Sequence, residues 1–256
     1  MSISSEIVQN IQQVARRGGK IELINDYLGL QISYEAVLLG FGVDTIVFQV
    51  HEYQLVCMEI SRRVILKVDS LFPAIASVAS THSMSNRAVL TNFSYAPALA
   101  GNRAAVRVRP KEDVPIRLTS VVQTTDLGSN LRHNPPLWHR GQLADISTGG
   151  IGVIADLWMN RVRDFTASRG SQVNVLLAVT LPADNGGAAN RLPNKELFLR
   201  GIVSNIILLD AASRYRIGIK TSPDESGTKA ISRYSALRQA QIIREIKALY
   251  AILLRK

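Results

Sequence analysis

The chain has 256 residues, 46% of them apolar and 20% charged, a composition that excludes a disordered chain and gives room for one large domain or two of ordinary size. No apolar run approaches the roughly 18 residues needed to span a bilayer. The start MSISSEIVQN lacks the basic-then-apolar pattern of a secretory signal, so a cytoplasmic protein with no stable membrane insertion is expected. The net charge of +10 is uneven: residues 1–100 hold seven Lys and Arg against eight Asp and Glu, whereas residues 101–256 hold 23 against 12. Such asymmetry predicts two domains, with an anionic partner on the second.

Residues 5–16 read as a short helix, with Ile7, Ile11, Val14 and Ala15 near one face and Gly18-Gly19 as its stop. From about Lys20 to Tyr95 the pattern turns to β. The segments at 34–43, 45–50, 53–60 and 62–68 are short, β-branched and broken by Gly, Asp or charged pairs. They predict a small antiparallel barrel or sandwich. The single cysteine, Cys57, excludes an internal disulfide and a thiol pair for zinc; in its apolar run it reads as a buried small hydrophobe. Residues 95–101, with Pro97 and Gly101, read as a connector.

A second β pattern follows. Val106-Arg107-Val108-Arg109 alternates, and strands are expected at 114–122, 141–146, 152–155, 172–181, 196–209 and 214–220. Residues 124–136 and 184–193 are rich in Gly, Asn and Pro and read as loops. About six strands imply a second barrel. The tail from 227 to 256 carries a helical stripe of Ile231, Tyr234, Leu237, Ile242, Ile243, Ile246, Leu249, Tyr250 and Leu253. Its first half is expected to dock on its own barrel. Its end is left open between docking, a homodimer seam and a partner-binding helix.

Two clusters carry the chemistry. Asn102-Arg103-Ala-Ala-Val-Arg107 sets two arginines four apart on the connector, and Asp145-Ile-Ser147-Thr-Gly149-Gly150 sets a carboxylate, a hydroxyl and a glycine turn within six residues. Guanidinium groups pair with phosphate or stack on a base. A carboxylate accepts from a guanine edge, and a glycine turn lets backbone N–H groups approach a ligand. Asp145 and Ser147 fall two apart on a strand and so share a face. Each cluster alone is also ordinary linker and turn chemistry; their pairing, order and spacing are more specific.

These two clusters resemble the PilZ domain, a family of bacterial cyclic di-GMP receptors that carries R-x-x-x-R at the domain front and [D/N]-x-S-x-x-G on a following strand. The resemblance covers roughly residues 101–256. The β-rich N-terminal half joined by a short connector is further similar to flagellar-brake proteins of the YcgR type. The fold so implied is mainly β: an N-terminal YcgR-like split-barrel-like domain over 1–98, a connector over 99–109, and a PilZ barrel with a long C-terminal helix over 103–256. The ligand set so implied is Arg103, Arg107, Asp145, Ser147, Gly149 and Gly150, with cyclic di-GMP as ligand, no cofactor, no metal and no catalytic residue. The arginines would grip phosphates and guanine, while Asp145, Ser147 and Gly150 would line the pocket. Many members have a second arginine where this chain has Asn102, which favours a single bound ligand and leaves the stoichiometry open. The implied output is regulation of a partner such as a flagellar motor or polysaccharide-synthesis component.

Other readings carry less. His133 and His139 have no carboxylate or cysteine pair nearby for a metal, and Ser147 has no local histidine and no G-x-S-x-G, which disfavours a hydrolase. Residues 149–152 do not form G-x-G-x-x-G, so a Rossmann site is rejected. Trp138 and Trp158 read as packing or loop residues. Two alternatives stand: a basic barrel that binds nucleic acid, against which the 6% aromatic content argues, and a flavin-binding split barrel acting as an oxidoreductase, which would colour the protein.

Overall fold

The computed structural model describes residues 2–96, 105–120, 139–156, 168–179, 195–209, 214–222 and 224–255. The fold is mainly β. The chain divides into two compact units, Met1–Ala104 with Ala240–Lys256, and Ala105–Gln239.

The first unit opens with α1 (Ile3–Arg16), whose Ser2 cap accepts from the Ser5 N–H and whose last carbonyls at Val14 and Ala15 are met by the N–H groups of Gly18 and Gly19. Strands β1 (Ile21–Tyr27), β2 (Leu30–Glu35), β3 (Val37–Phe41), β4 (Thr45–Gln49), β5 (Arg63–Val68), β6 (Ala74–His82) and β7 (Arg87–Tyr95) form one antiparallel half-barrel sheet in the order β2-β1-β5-β6-β7-β4-β3. Ile7, Val8 and Ile11 of α1 share one core with Leu23, Phe48, Leu66, Ala76 and Leu90 of the sheet. Each such buried Val, Ile, Leu or Phe side chain contributes roughly 1.5–3 kcal/mol relative to exposure.

Residues 53–60, expected as a strand, are helical: α2 spans Glu52–Ser61. The run Gln54, Leu55, Val56, Cys57, Met58 is buried on every side, and a short continuous apolar run has no period by which sequence distinguishes strand from helix. The local signals are at its ends. His51 Nδ1 accepts from the Tyr53 N–H, and Arg62 closes the helix in the left-handed region at φ 52°.

Cys57 is buried as expected, and burial, reinforced by Asp26, pushes its thiol up to about 12. Between pH 9 and 12 the unfolded chain loses this proton and the folded chain keeps it, so the thiol's contribution to stability falls as pH rises through that window. A thiol reagent at neutral pH is expected to leave Cys57 unmodified in native protein and to label it fully in denaturant; rapid native labelling would contradict this packing.

The second unit is a closed six-stranded antiparallel barrel of β8 (Pro115–Ser120), β9 (His139–Ser147), β10 (Gly150–Asp156), β11 (Gln172–Val179), β12 (Lys195–Leu208) and β13 (Arg214–Thr221), in the cyclic order β10-β13-β12-β11-β8-β9. Leu118, Ile146, Val153, Val175, Leu199 and Ile217 fill it, each no more than 1% exposed, and closure leaves no strand edge on this barrel. The alternating run at 106–109 forms no strand; of it only Val108 pairs, in an isolated bridge to Ile146. The loops expected at 124–136 and 184–193 lie outside the described residues, as do Asn102, Arg103, His133, Trp138 and Trp158.

The long helix is α3 (Glu225–Leu253). Ile231, Tyr234, Arg238, Ile242 and Ile246 are buried along it, whereas Ile243, expected in the apolar stripe, is 37% exposed. In the first unit the end of this helix is held by the Tyr250 hydroxyl, which donates to Asn86 Oδ1 at 2.9 Å, and by the Leu253 carbonyl, which accepts from Ser83 at 3.3 Å. No helix among the described residues is long and apolar enough to cross a membrane.

Candidate functional site

The site is built on the barrel's outer surface around β9. Leu143 and Ile146 both point inward although they are three apart, because a bulge intervenes: Gly152 of β10 pairs with Asp145, and the next residue, Val153, pairs with Leu143. Beyond the bulge ordinary alternation resumes. Ile146 is internal, and Asp145 and Ser147 flank it on the other face.

Segment 105–109 lies alongside. Val108 and Ile146 exchange both backbone hydrogen bonds at 3.0 Å, and both side chains are fully buried. This bridge sets the neighbours of Val108 on the same face as the neighbours of Ile146. Arg107 therefore arrives beside Asp145 and Ser147, and its Nη1 stands 3.6 Å from Asp145 Oδ1. The Arg107 side chain is 48% exposed while the Asp145 side chain is 7% exposed. The carboxylate is thus fixed, and the guanidinium faces both it and solvent.

The hairpin turn closes the site at one end. Ser147 pairs with Gly150, and its hydroxyl donates to the Gly150 carbonyl at 3.0 Å. A Cβ on Gly150 would strike the Ile219 carbonyl of β13, so only glycine lets the two strands approach there. Gly149 differs: the nearest atom to an added Cβ is the Ala105 methyl at 4.0 Å. Gly149→Ala is expected to stay within about 0.5 kcal/mol of the parent stability and Gly150→Ala to lose about 1–3 kcal/mol; thermal melts of the two variants read the difference, and equal melts would contradict this turn.

The structure thus brings Arg107, Asp145, Ser147 and Gly150 together and seats Gly149 at the turn beside Ala105. Arg103 lies outside the described residues. Two further residues belong to the same cluster. Arg216 of β13 donates to Asp145 Oδ2. Gly152 lies under the carboxylate, where an added Cβ would come within 2.8 Å of Oδ2 and 3.0 Å of Oδ1. In sequence, Arg214 and Arg216 alternate with Tyr215, Ile217 and Ile219, which puts both arginines on the outer face of the strand. Behind the segment, the buried Arg238 of α3 donates from Nε to the Arg109 carbonyl at 2.9 Å.

Where a carboxylate is bracketed by guanidinium groups, with a backbone turn alongside, the carboxylate can accept from a polarised N–H pair and the guanidinium groups can offer positive charge to an oxyanion. Among the described residues, no group of three or more His, Cys, Asp or Glu side chains is placed to hold a metal ion.

No protein-family model and no curated protein matches the chain. Solved structures do. A complex of K. pneumonia MrkH with c-di-GMP aligns over 95% of this chain and 95% of its own at 15% identity, with a TM-score of 0.39. The Bacillus subtilis inhibitor of motility MotI/DgrA aligns over 87% and 96% at 12% identity, TM-score 0.39. Escherichia coli YcgR with c-di-GMP aligns over 93% and 92% at 13% identity, TM-score 0.35. The chain is similar to these proteins along most of its length. At such identities and scores the likeness assigns neither ligand nor output to it.

Proposed function

We propose that the chain is a non-enzymatic PilZ-type receptor for cyclic di-GMP, whose occupancy is read by a protein partner, a component of a flagellar motor or of surface polysaccharide synthesis. One observation carries the ligand: the Val108–Ile146 bridge sets the Arg107 backbone beside β9, with its guanidinium 3.6 Å from Asp145 on the face that also carries Ser147 and the Gly150 turn. The motif pair of the sequence supports the same ligand set, with Arg103, Arg107, Asp145, Ser147, Gly149 and Gly150 as its members. A cyclic guanine dinucleotide combines what these groups complement, namely phosphate oxyanions for the arginines and an N–H edge for the carboxylate.

Calorimetric titration with cyclic di-GMP, GTP and cyclic AMP tests this. Saturable binding of cyclic di-GMP at micromolar concentration or below is expected, with the other two weaker by about a hundredfold or more. Equal or absent binding of all three would refute the reading. A salt series separates it from general affinity of the basic half for nucleic acid, because polynucleotide binding that releases many counterions weakens by orders of magnitude between 50 and 200 mM salt, on the order of 10³–10⁵, and a pocketed dinucleotide changes far less. Ligand can rearrange the two units only through differential affinity for their arrangements; small-angle scattering with and without cyclic di-GMP is expected to differ.

A further inference from the structure

We propose that Arg216 is a specificity-determining positioning residue: it fixes the plane of the Asp145 carboxylate so that this group selects guanine over adenine. The inference rests on the cyclic di-GMP reading above and adds the residue that sets its base preference. Asp145 is opposite Gly152 on β10, and Gly152 is opposite Gly218 on β13. Arg216 lies two residues from Gly218 and so on the same outer face of β13. Two strand spacings, about 10 Å, separate β9 from β13. A side chain can cross that distance only over a strand that raises no obstacle. Gly152 supplies the gap, since a Cβ there would meet the carboxylate itself.

The carboxylate is thereby held from two sides, Oδ2 by Arg216 and Oδ1 by Arg107. Each oxygen retains lone-pair capacity. An ionised carboxylate with a fixed plane is acceptor-only, which suits the paired N1–H and N2–H donors of a guanine edge. It repels the N1 lone pair that adenine presents at the same place. With Arg216 removed, Arg107 alone remains on Oδ1 and the carboxyl plane is free to turn about χ2, so discrimination should fall before phosphate-driven binding does.

The test uses the full chain with cyclic di-GMP and cyclic di-AMP as paired calorimetric probes. Arg216→Met keeps an unbranched apolar stem and removes the guanidinium with its charge. It is expected to narrow the guanine-over-adenine preference by about 10- to 100-fold, chiefly through weaker cyclic di-GMP binding. On an Asp145→Ala background the same substitution is expected to change neither affinity by more than about threefold, because the partner it positions is gone. Arg216→Lys should restore part of the preference. Should Arg216→Met fail to fold, Arg216→Lys carries the test: it is expected to narrow the preference by a smaller factor, and a preference equal to that of the wild type overturns the inference. Wild-type protein that binds no cyclic di-GMP overturns the functional reading and this inference together. Wild-type binding with undiminished preference in Arg216→Met, equal losses for both ligands, or the same loss with and without Asp145 overturns the inference alone.

Discussion

Arg107→Ala is expected to abolish cyclic di-GMP binding at micromolar ligand while the barrel stays folded. The fold does not lean on this side chain: it is 48% exposed, and its pairing with Asp145 at 3.6 Å is largely screened by solvent. What ties its segment to the barrel is the backbone bridge at Val108, which alanine at 107 leaves in place. The ligand, by contrast, brings phosphate charge that must be matched where water is displaced. Truncating one partner of a desolvated, hydrogen-bonded charge pair costs about 2–5 kcal/mol, or roughly 30- to several thousand-fold in affinity. Arg107→Lys keeps the charge and loses the planar fork, so an intermediate loss of about tenfold is expected. Arg103→Ala should act in the same direction on the strength of the sequence motif. Calorimetry checks the affinities and circular dichroism the fold; an Arg107→Ala protein that is folded and binds as the parent does would remove Arg107 from the site.

Gly152→Val runs against local propensity in an informative way. Valine is a better strand residue than glycine, and the glycine has no left-handed backbone to protect. The substitution should nevertheless cost about 10- to 100-fold in cyclic di-GMP affinity. The first atom added lies 2.8–3.0 Å from the Asp145 carboxylate, and valine adds two methyl groups beyond it. The atoms in the way are the flexible end of a side chain, so the backbone is spared and the carboxylate is displaced. Stability should move by less than about 1 kcal/mol while binding collapses. A Gly152→Val protein with parental affinity would mean that the Asp145 carboxylate takes no part in the ligand's seat.

Much of this was readable from the chain and some was not, for physical reasons. Asp145 and Ser147 could be paired on one face because a strand alternates with period two, and the bulge lies before them, not between them. Their turn announced itself through Gly149-Gly150, yet sequence did not tell which glycine is obligatory; that depends on Ile219, some seventy residues away. Arg216 was invisible for the same reason. Its reach to Asp145 depends on a glycine in the intervening strand, a fact of barrel order and not of spacing along the chain. The six-strand count of the second half held because apolar residues recur at alternate positions within those strands. Residues 53–60 misled because Leu55, Val56, Cys57 and Met58 are buried all round, which erases the period that separates helix from strand.

The fastening of residues 108 and 109 bears on how a ligand is received. Val108 is locked by two peptide hydrogen bonds to Ile146, and the carbonyl of Arg109 is locked by Arg238. Ordering a free backbone costs about 1–2 kcal/mol per residue, whereas immobilising an arginine side chain costs up to about 2 kcal/mol in total. At Arg107 the peptide is already preorganised before any nucleotide arrives, and only side-chain torsions remain to be frozen. On the proposed reading, binding at this position orders the Arg107 side chain and leaves the backbone at 108 and 109 as it stands.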